Sequence, residues 1–595
     1  MKKRFIAFES WGSRIARRPI HAALFVGLAP ILTRLLLLPW FPAPLPRLHD
    51  EFSHLLLADT FAHSRLVNPV HPLWQFFESM HILVRPVYTS PYPPAQGAAL
   101  ALGQVITGAP WAGVMFSIGL MCAALYWMLR GWVSPGWALL GATLVAARFG
   151  VSSYWMNSFY GGAVPAAAGA LVLGAVPRIV RRSHGRDAAI LAAGVAILAN
   201  SRPYEGFAFS IPIACFLAWR LRAKLFRRSF VVPLVAVLGV SALTTGYYFY
   251  RVTGSPVQMP YEYFRSNYTQ TPHFIFQGMR PGPVYLHRQL WNYYAGWEPM
   301  AYRAAVSYGD AHGPIDKAKY YARFYAGPFL AIPLLAALWH WRRKRIRFLA
   351  LTGLWVAIAL TVEVWHAAHY AAPVMGLFVL LVVEGLRHLR LAPAGPWIVR
   401  AVSLASLFLP VTGGVREGNG QSREAIRTQL KAAGGNHLVL VRYAEHHDSG
   451  NEWVYNSADI DASPIVWARE MDPQSNRKLL AYFSGRQVWL LQPDRDPQTL
   501  LPFDPDSLPD PLFRFVPLGT QEVEGLRSPE LVRQAILRRL PNPKSPPLLT
   551  CEQWKREFSH ATSIEAPEPT AGCGAAPAGQ AMEFETWFAY LEAQR

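Results

Sequence analysis

Long apolar segments set the strongest limit on how this chain can fold. Runs of about 15 to 22 mostly apolar residues recur between residues 20 and 412, and a helix of this length can cross the hydrocarbon core of a bilayer. We therefore predict a mostly α, polytopic transmembrane bundle of about eleven helices. The predicted spans are 20–39, 111–130, 137–154, 163–179, 188–201, 206–220, 230–250, 326–341, 347–364, 369–386 and 397–412.

The composition argues against a soluble chain of several domains. Of 595 residues, 52% are hydrophobic and only 16% are charged, which is typical of a polytopic membrane protein. The net charge is +20, but the basic residues form short clusters between apolar segments and not one patch or tail. Such clusters are topology signals, so we expect the membrane, and no nucleic acid, as a partner.

The basic clusters also predict the orientation of the chain. They lie at Arg178–Arg186, Arg220–Arg228, Arg342–Arg347 and Arg387–Arg390. Each cluster follows an even-numbered span, and Lys and Arg are retained on the cytoplasmic side of a membrane. We therefore expect an integral protein of the bacterial inner membrane with a cytoplasmic N-terminus.

Two long connections then face the outside, at residues 41–94 and 251–325. Connections of this length are rarely structureless. In the first, the apolar residues of Phe52–Leu56 can share a helical face, and residues 72–84 carry Trp and Phe suited to the headgroup region. We predict that both stretches form helices lying on the membrane surface.

The composition changes after residue 412, and the predicted domains follow that change. They are a transmembrane domain over 1–412, a polar linker over 413–421 and an extracytoplasmic α/β domain over 422–595 with a Pro-rich helical tail. A disulfide between Cys551 and Cys573 is left open. The predicted elements of this domain are 422–433, 437–443, 464–470, 474–483 and 486–493, with helix-like pieces near 528–540, 551–561 and 581–594.

Asp50 and Glu51 open the first external loop, beyond the first predicted span. A carboxylate near a low-dielectric boundary can have its pKa raised toward a value useful for a general base. We therefore take both as candidate catalytic residues acting on a lipid-borne substrate. The alternatives are that Asp50 is only the N-cap of the following helix and that Glu51 is only a first-turn acid favoured by the helix dipole.

Further ionisable residues lie within or beside the predicted spans, where a charge costs about 3 kcal/mol or more and needs a reason. By the predicted topology all of them lie in the outer half of the membrane or at its outer surface. Their coincidence on the side of Asp50 indicates a site for an anionic headgroup, while snorkelling, internal pairing and turn formation stay open for each residue. These candidate substrate-binding residues are Arg34, Arg148, Arg202, Glu205, Glu363, His366 and His369.

The first external loop and its surroundings resemble a known family. The loop opens with His49-Asp50-Glu51-Phe52 and ends with Tyr92-Pro93-Pro94, before the next apolar region. With the N-inside first span, this is similar to the GT-C superfamily of membrane glycosyltransferases, which use polyprenyl-phosphate sugars. The superfamily includes the protein O-mannosyltransferases and the lipid A aminoarabinose transferases. The resemblance covers residues 15–410 and does not extend to the C-terminal domain.

The resemblance implies an inverting glycosyltransferase in which Asp50, with Glu51 beside it, deprotonates an acceptor hydroxyl. Tyr92 of the loop motif is expected to contact substrate. The implied partners are a polyprenyl-phosphate sugar donor and a lipid, glycan or protein acceptor. The residues require no cofactor, although some members of the superfamily need a divalent metal. The candidates for facing the departing phosphate are Arg202, His366 and His369, with Arg34 and Arg148 behind them.

Two other functions stay open from the sequence. A non-enzymatic transporter or flippase of lipid-linked sugars would bind the headgroup without reacting. An O-antigen ligase or polymerase type of enzyme would use external Arg and His residues without the Asp-Glu pair. The sequence has no GxxxxGK[ST], GxSxG, HExxH or GxGxxG motif, which argues against a nucleotide-driven pump, an α/β-hydrolase, a zincin and a Rossmann dehydrogenase. We expect the run Glu445-His446-His447-Asp448 to be a solvated loop.

Overall fold

In the computed structural model, helices form the N-terminal two thirds of the chain and a small sheet lies in the C-terminal region. The described residues are 2–505 apart from 183, 223–225, 284, 308–311, 409–419, 445–446 and 496–497, together with 549–551, 553–554, 581–584 and 587. The mostly α fold class is confirmed.

Several helices begin at a proline. Pro is suited to the first turn because its fixed φ is helical and the missing N–H would have no partner there. Examples are Pro94, Pro110 and Pro203. The helices are α1 (Lys2–Arg17), α2 (Pro19–Leu36), α3 (His49–Ala62), α4 (Pro94–Thr107), α5 (Pro110–Trp132), α6 (Pro135–Phe149), α7 (Ala163–Arg182), α8 (Gly185–Ala199), α9 (Pro203–Leu221), α10 (Arg228–Thr253), α11 (Pro260–Tyr268), α12 (Arg288–Trp291), α13 (Glu298–Ser307), α14 (His312–Tyr325), α15 (Gly327–Leu338), α16 (Lys344–Thr361), α17 (Met375–Leu389), α18 (Gly395–Phe408), α19 (Gly420–Ala433) and α20 (Pro473–Tyr482).

The expected count of eleven spans is not confirmed. Among the described residues, five helices are long and apolar enough to cross a membrane: α2, α5, α7, α10 and the stretch Ala368–Leu389. A sixth is formed if α14 and α15, which meet at 104°, are one broken span. The other five predicted segments are also helical, as α6, α8, α9, α16 and α18, but they are shorter, less apolar or more charged.

Small residues let the membrane helices approach closely. A Cβ on Gly103 of α4 would lie 2.0 Å from the backbone nitrogen of Gly113 on α5, and one on Gly27 of α2 would lie 3.1 Å from the carbonyl oxygen of Gly119. Close backbone approach at glycine is a general device of helix packing in membranes, where apolar side chains alone give little preference for protein over lipid. α5 therefore forms the centre of the bundle, packed against α2, α4 and α7.

The first external loop differs from the prediction in its second half. α3 confirms the helix expected around Phe52, but residues 72–84 contain only a 3-10 turn, Trp74–Phe77. Phe76 and Phe77 are buried in one cluster with residues of the C-terminal sheet. The ring of Phe52 stacks on Tyr455 with centroids 4.2 Å apart. The expectation of two helices on the membrane surface was wrong because these aromatic side chains bury against protein.

The C-terminal region contains a mostly parallel sheet with strand order β2-β1-β3-β4. The predicted segments are confirmed as α19, α20 and the first three strands, whereas the short antiparallel β4 was not predicted. Every residue of the central β1 and of β2 is buried, as expected for parallel strands covered on both faces. The strands are β1 (His437–Val441), β2 (Ile465–Arg469), β3 (Gln487–Gln492) and β4 (Thr499–Pro502).

Parts of the predicted tail and linker lie outside the described residues. These include the linker up to residue 419, the helix-like piece 528–540 and most of 551–561 and 581–594. A short ladder pairs β5 (Leu549–Thr550) with β6 (Ala581–Met582). Cys551 is disulfide-bonded, and Cys573 lies outside the described residues.

Candidate active site at the first external loop

Glu51, not Asp50, caps helix α3. The helix begins at His49 after the N-cap Leu48, which places Glu51 at its third position. Its Oε2 accepts hydrogen bonds from the backbone N–H groups of Arg47 at 2.8 Å and of Leu48 at 3.1 Å. A glutamate at this position often reaches back to the N-cap in this way. The side chain of Asp50 is therefore left for other contacts.

The other oxygen of Glu51 joins two external loops. Oε1 accepts a hydrogen bond at 3.1 Å from the backbone N–H of Phe159, in the connection between α6 and α7. Burial raises the pKa of Glu51, and the three backbone hydrogen bonds offset part of that rise. With both oxygens engaged by backbone donors, Glu51 holds the loops in place around its neighbour.

Asp50 is surrounded by groups that stabilise its charge. Tyr92 donates a hydrogen bond to Oδ1 of Asp50, and Nδ1 of His49 lies 3.5 Å from the same oxygen. Burial raises the pKa of Asp50, but His49, His81 and Tyr92 more than offset this and hold it well below its usual value. The expected rise of the pKa was wrong, because the sequence argument considered only burial and missed the imidazoles.

Four residues that the sequence analysis did not name as site residues, His49, His54, His81 and Tyr293, surround Asp50 and Tyr92, and we call this group of six residues the chamber. The rings of His49 and His81 lie 4.5 Å apart. The hydroxyl of Tyr293 lies 3.2 Å from Nε2 of His49 and 3.3 Å from Nε2 of His81. His54 stacks on Tyr92 at 4.8 Å. These residues belong to two separate external loops, so their spacing in the sequence did not predict that they would meet. The histidines of the first loop are the sequence feature that could have suggested this part of the site.

Arg202 lies within electrostatic range of the residues around Asp50. It is the N-cap residue of α9, and its side chain is 25% exposed. Its guanidinium is 4.3 Å from the centre of the Tyr370 ring, and NH1 is 3.6 Å from Oε1 of Glu205, at the outer limit of an ion pair. The charges of both Arg202 and Asp50 act on His54, whose pKa burial lowers to about 4. Arg202 therefore brings a positive charge, paired with Glu205, into the surroundings of Asp50.

The imidazole of His369 is held by Tyr154 through Nδ1, which leaves Nε2 outside that contact. Its backbone N–H donates to the hydroxyl of Tyr154 at 3.0 Å, and the same hydroxyl lies 2.9 Å from Nδ1. That hydroxyl accepts from the backbone and can donate its own proton to Nδ1; in this arrangement the neutral imidazole carries its proton on Nε2. The charges of Arg202 and Asp50 both act on His369. Asp50 and Arg202 therefore both lie within electrostatic range of His369.

Arg34 and Arg148 make contacts elsewhere. Arg34 donates to the carbonyl oxygens of Phe41 and Pro42, each at 2.7 Å, and to Asn157 at 2.8 Å. Arg148 donates to two carbonyl oxygens at the end of α14, at 3.0 and 3.1 Å. Arg148 thus satisfies the carbonyl groups at the end of α14, and Arg34 satisfies those of the loop that follows α2.

Glu363 and His366 lie at the edge of the chamber. Glu363 is 1% exposed, Oε1 is 3.1 Å from Nε2 of His273, and burial raises its pKa to about 8. His366 is exposed and packs edge-on against Tyr320 at 5.2 Å. Of the histidine pair expected to face the phosphate, His369 therefore lies within electrostatic range of Asp50, and His366 packs on Tyr320.

The C-terminal histidine run is only partly described. Glu445 and His446 lie outside the described residues. His447 is 7% exposed, and its Nδ1 lies 2.6 Å from Asp494. The expectation of a solvated loop was wrong for His447, because the side chain folds back onto the end of β3.

Three residues of the chamber fit a metal ion. His49, Asp50 and His81 each offer one ligand atom, and these atoms lie within 4.8 Å of one another. Two imidazole nitrogens and a carboxylate oxygen are donors that divalent transition ions accept. The sequence had left such an ion open without naming histidines for it.

No protein-family model and no curated protein matches this chain. Solved structures of the oligosaccharyltransferase AglB from Archaeoglobus fulgidus are similar at 11–12% identity. The form tethered to an acceptor peptide has a TM-score of 0.40 and covers 80% of this chain and 68% of that one. The apo form has a TM-score of 0.37 and covers 71% of this chain and 62% of that one. A complex with an inhibitory peptide and dolichol-phosphate has a TM-score of 0.34 and covers 80% of this chain and 69% of that one.

These neighbours belong to the superfamily that the sequence resembles, that of GT-C membrane glycosyltransferases. With TM-scores of 0.40 or less, the similarity carries no conclusion about the activity of this chain. The site itself has to support any function.

Proposed function

We propose that this chain is an integral-membrane glycosyltransferase that moves a sugar from a polyprenyl-phosphate donor to an acceptor hydroxyl. The reaction takes place on the outer face of the bacterial inner membrane, with the N-terminus in the cytoplasm and the C-terminal domain outside. One observation supports the proposal: the charges of Asp50 and Arg202 both act on His54 and on His369, so the candidate base and the candidate phosphate-binding residues lie within electrostatic range of one another.

In the proposed reaction Asp50 is the base. The acceptor oxygen attacks the anomeric carbon of the sugar while its proton passes to a carboxylate oxygen of Asp50. The bond from the anomeric carbon to the phosphate oxygen breaks with its electron pair, so the polyprenyl phosphate leaves with one more negative charge. Attack opposite the leaving group inverts the anomeric centre. Tyr92 orients Asp50 through the hydrogen bond to Oδ1.

Arg202 and His369 receive the leaving phosphate. Charge develops on the phosphate oxygen in the transition state, and fixed donors stabilise it more than mobile water does. The guanidinium of Arg202 forms an ion pair with Glu205, in which NH1 lies 3.6 Å from Oε1. A planar guanidinium can bind two phosphate oxygens at once. The Nε2–H of His369 supplies a neutral donor.

The acceptor is a lipid, a glycan or a protein. It enters from the side of the external loops and the C-terminal domain, which meet at the stack of Phe52 and Tyr455. Because Phe52 lies only two residues after the candidate base, the C-terminal domain is well placed to hold an acceptor near Asp50.

Replacing Asp50 by Asn tests the proposal. The full-length protein in nanodiscs would be given polyprenyl-phosphate sugars of several kinds, with envelope glycolipids, glycans and proteins as acceptors. We expect D50N to lower turnover by about 10²- to 10⁴-fold and to leave donor binding nearly unchanged. Mass spectrometry of envelope glycans from a deletion strain then identifies the product.

The alternatives give other outcomes in the same experiment. A flippase would move the lipid-linked sugar across the bilayer without transferring it, and D50N would have little effect on that movement. An O-antigen ligase or polymerase would transfer from a lipid-linked glycan and would tolerate D50N better than the loss of Arg202. Either result would contradict the proposed role of Asp50.

A further inference from the structure

The side chain of Arg469 joins the C-terminal sheet to both long external loops. Arg469 is the last residue of β2 and is only 1% exposed. Its Nε donates to the backbone carbonyl of Glu78 in the first loop at 2.7 Å, and its NH1 donates to Oε1 of Gln289 in the second loop at 3.4 Å. One guanidinium of the C-terminal domain therefore contacts both loops at once.

The guanidinium is fixed from its own domain by Glu452. Its NH2 donates to Oε2 of Glu452. Oε1 of the same carboxylate accepts from the hydroxyl of Tyr443 and from the backbone N–H groups of Trp453 and Val454, the last two at 2.9 and 3.0 Å. A buried ion pair often adds little stability over apolar packing of the same volume. This pair is better explained by the fixed position that it gives to Arg469.

The contact with Glu78 lies just before a residue of the chamber. His81 follows three positions later, and the hydroxyl of Tyr455 donates to the carbonyl oxygen of Met80 at 3.3 Å. Two side chains of the C-terminal domain thus hold the segment that leads into His81. The backbone of His81 has a φ of +56°. A residue other than glycine keeps such a conformation only where its surroundings fix it.

The contact with Gln289 lies four positions before Tyr293, in one unbroken helical stretch. Helix α12, a π-helix turn over Asn292–Trp297 and helix α13 follow one another directly. Such π turns are rare and are often found at functional sites. The hydroxyl of Tyr293 lies 3.3 Å from Nε2 of His81, and the hydroxyl of Tyr294 accepts from the backbone N–H of His81 at 2.9 Å. The second loop therefore meets the first at His81.

We propose that Arg469 is a positioning residue for the transfer reaction, so that the C-terminal domain is part of the catalytic unit. It acts through His81 and Tyr293, which surround Asp50. The hydroxyl of Tyr293 lies 3.2 Å from Nε2 of His49 and 3.3 Å from Nε2 of His81, so the paths through the two loops meet there. The bridge between the loops stands on the geometry, and its effect on transfer rests on the proposed function.

R469K tests the bridge in the full-length protein in nanodiscs. Lysine keeps the charge beside Glu452, but its single nitrogen lacks the planar fork that reaches both Glu78 and Gln289. A displacement of about 1 Å near the reacting groups can cost about 100-fold in rate. We therefore expect kcat to fall by about 10- to 100-fold, while KM for the donor changes by about twofold or less.

R442K is the matched control for R469K. Arg442 lies at the same edge of the sheet, directly after β1, and its guanidinium donates to both carboxylate oxygens of Glu470 in the same domain. We expect R442K to keep the kcat of the wild type. Equal losses in R442K and R469K, or a wild-type kcat in folded R469K, would overturn the inference.

A double-variant cycle separates positioning from a general loss of structure. Y293F removes the hydroxyl at which the two paths meet. Residues that act through one another are not additive, so we expect R469K to lower kcat by about twofold or less when it is added to Y293F. A double variant with the full product of the two single losses would contradict a role of Arg469 through Tyr293.

Q289A protects the test against misfolding of R469K. It removes one of the loop contacts and leaves the pair of Arg469 and Glu452 in place. The loss of one hydrogen bond predicts a fall in kcat of about 2- to 10-fold, in the same direction as R469K. Thermal unfolding and gel filtration check the fold of every variant. If R469K does not fold, an unchanged kcat in folded Q289A overturns the inference.

Hydrogen–deuterium exchange distinguishes the failure of this inference from the failure of the proposed function. We expect the backbone amides of His81 and of residues 289–294 to exchange about tenfold faster in R469K than in the wild type, and R442K to match the wild type there. If the wild type transfers no sugar, the proposed function fails, and the exchange rates alone decide whether Arg469 positions the two loops. Equal exchange in the wild type and R469K would overturn that positioning, with or without transfer.

Discussion

Oε1 of Glu51 accepts a hydrogen bond from the backbone N–H of Phe159, which lies 108 positions further along the chain, at 3.1 Å. Oε2 of the same side chain caps helix α3. The two adjacent acids of the first loop thus have different surroundings. One is engaged entirely by backbone donors, and the other by side chains that face the chamber.

The first prediction separates these two acids. E51Q keeps one acceptor oxygen but turns an amide toward a backbone N–H, so we expect a loss of about 1–3 kcal/mol in the free energy of unfolding. D50N should lower transfer by about 10²- to 10⁴-fold, and it should also cost some stability because it removes the charge that His49, His81 and Tyr92 stabilise. Thermal unfolding and transfer assays on both variants measure this. A stable, inactive E51Q would instead make Glu51 the catalytic acid.

The second prediction concerns the hydroxyl of Tyr92. Y92F removes the hydrogen bond to Asp50 and keeps the aromatic ring. A hydrogen bond to a charged group is worth about 1.5–3 kcal/mol, so we expect turnover to fall by about 10- to 100-fold with little change in KM for the donor. Y261F is the control, because Tyr261 stacks on Tyr92 at 5.8 Å. Equal losses in both variants would show that ring packing, and not the hydroxyl, supports Asp50.

The third prediction concerns phosphate binding by Arg202. Lysine keeps the charge but loses the planar fork that can hold two phosphate oxygens. We expect R202K to raise KM for the donor and lower kcat together. R148K provides the contrast, since Arg148 donates to the carbonyl oxygens of Phe324 and Tyr325 and its loss should lower stability without changing KM. The reverse pattern would assign the phosphate to Arg148.

Periodicity predicted the local elements but not their packing. The strands around Val439 and Val466 and helix α3 follow from their apolar patterns. The sequence analysis grouped Arg202 with Asp50, because the ionisable residues of the predicted spans all lie on the predicted outer side of the membrane. The sequence could not predict that His81 and Tyr293 lie near Asp50, because they meet it only through the packing of two long loops. The surface helix expected over 72–84 failed for the same reason, since the sequence does not reveal that Phe76 and Phe77 pack against the C-terminal sheet.

The last prediction uses the pH dependence of stability at the joint between the loops and the C-terminal domain. Burial raises the pKa of Glu78 from 4.5 to about 7, although Arg469 and Arg85 lower it in part. Oε2 of Glu78 lies 3.6 Å from His287 and has no hydrogen-bond partner. The folded protein therefore holds a proton that the unfolded chain releases near pH 4.5.

Stability from this group is fully present below pH 4.5 and is lost as the pH rises through about 7. Gln resembles the protonated acid, so E78Q should match the wild type at pH 4.5 and unfold at a higher temperature than the wild type at pH 8. Thermal unfolding of both proteins in the same detergent at the two pH values measures the difference. A wild type that is the more stable protein at pH 8 would show that Glu78 is ionised in the fold and stabilised there by Arg469.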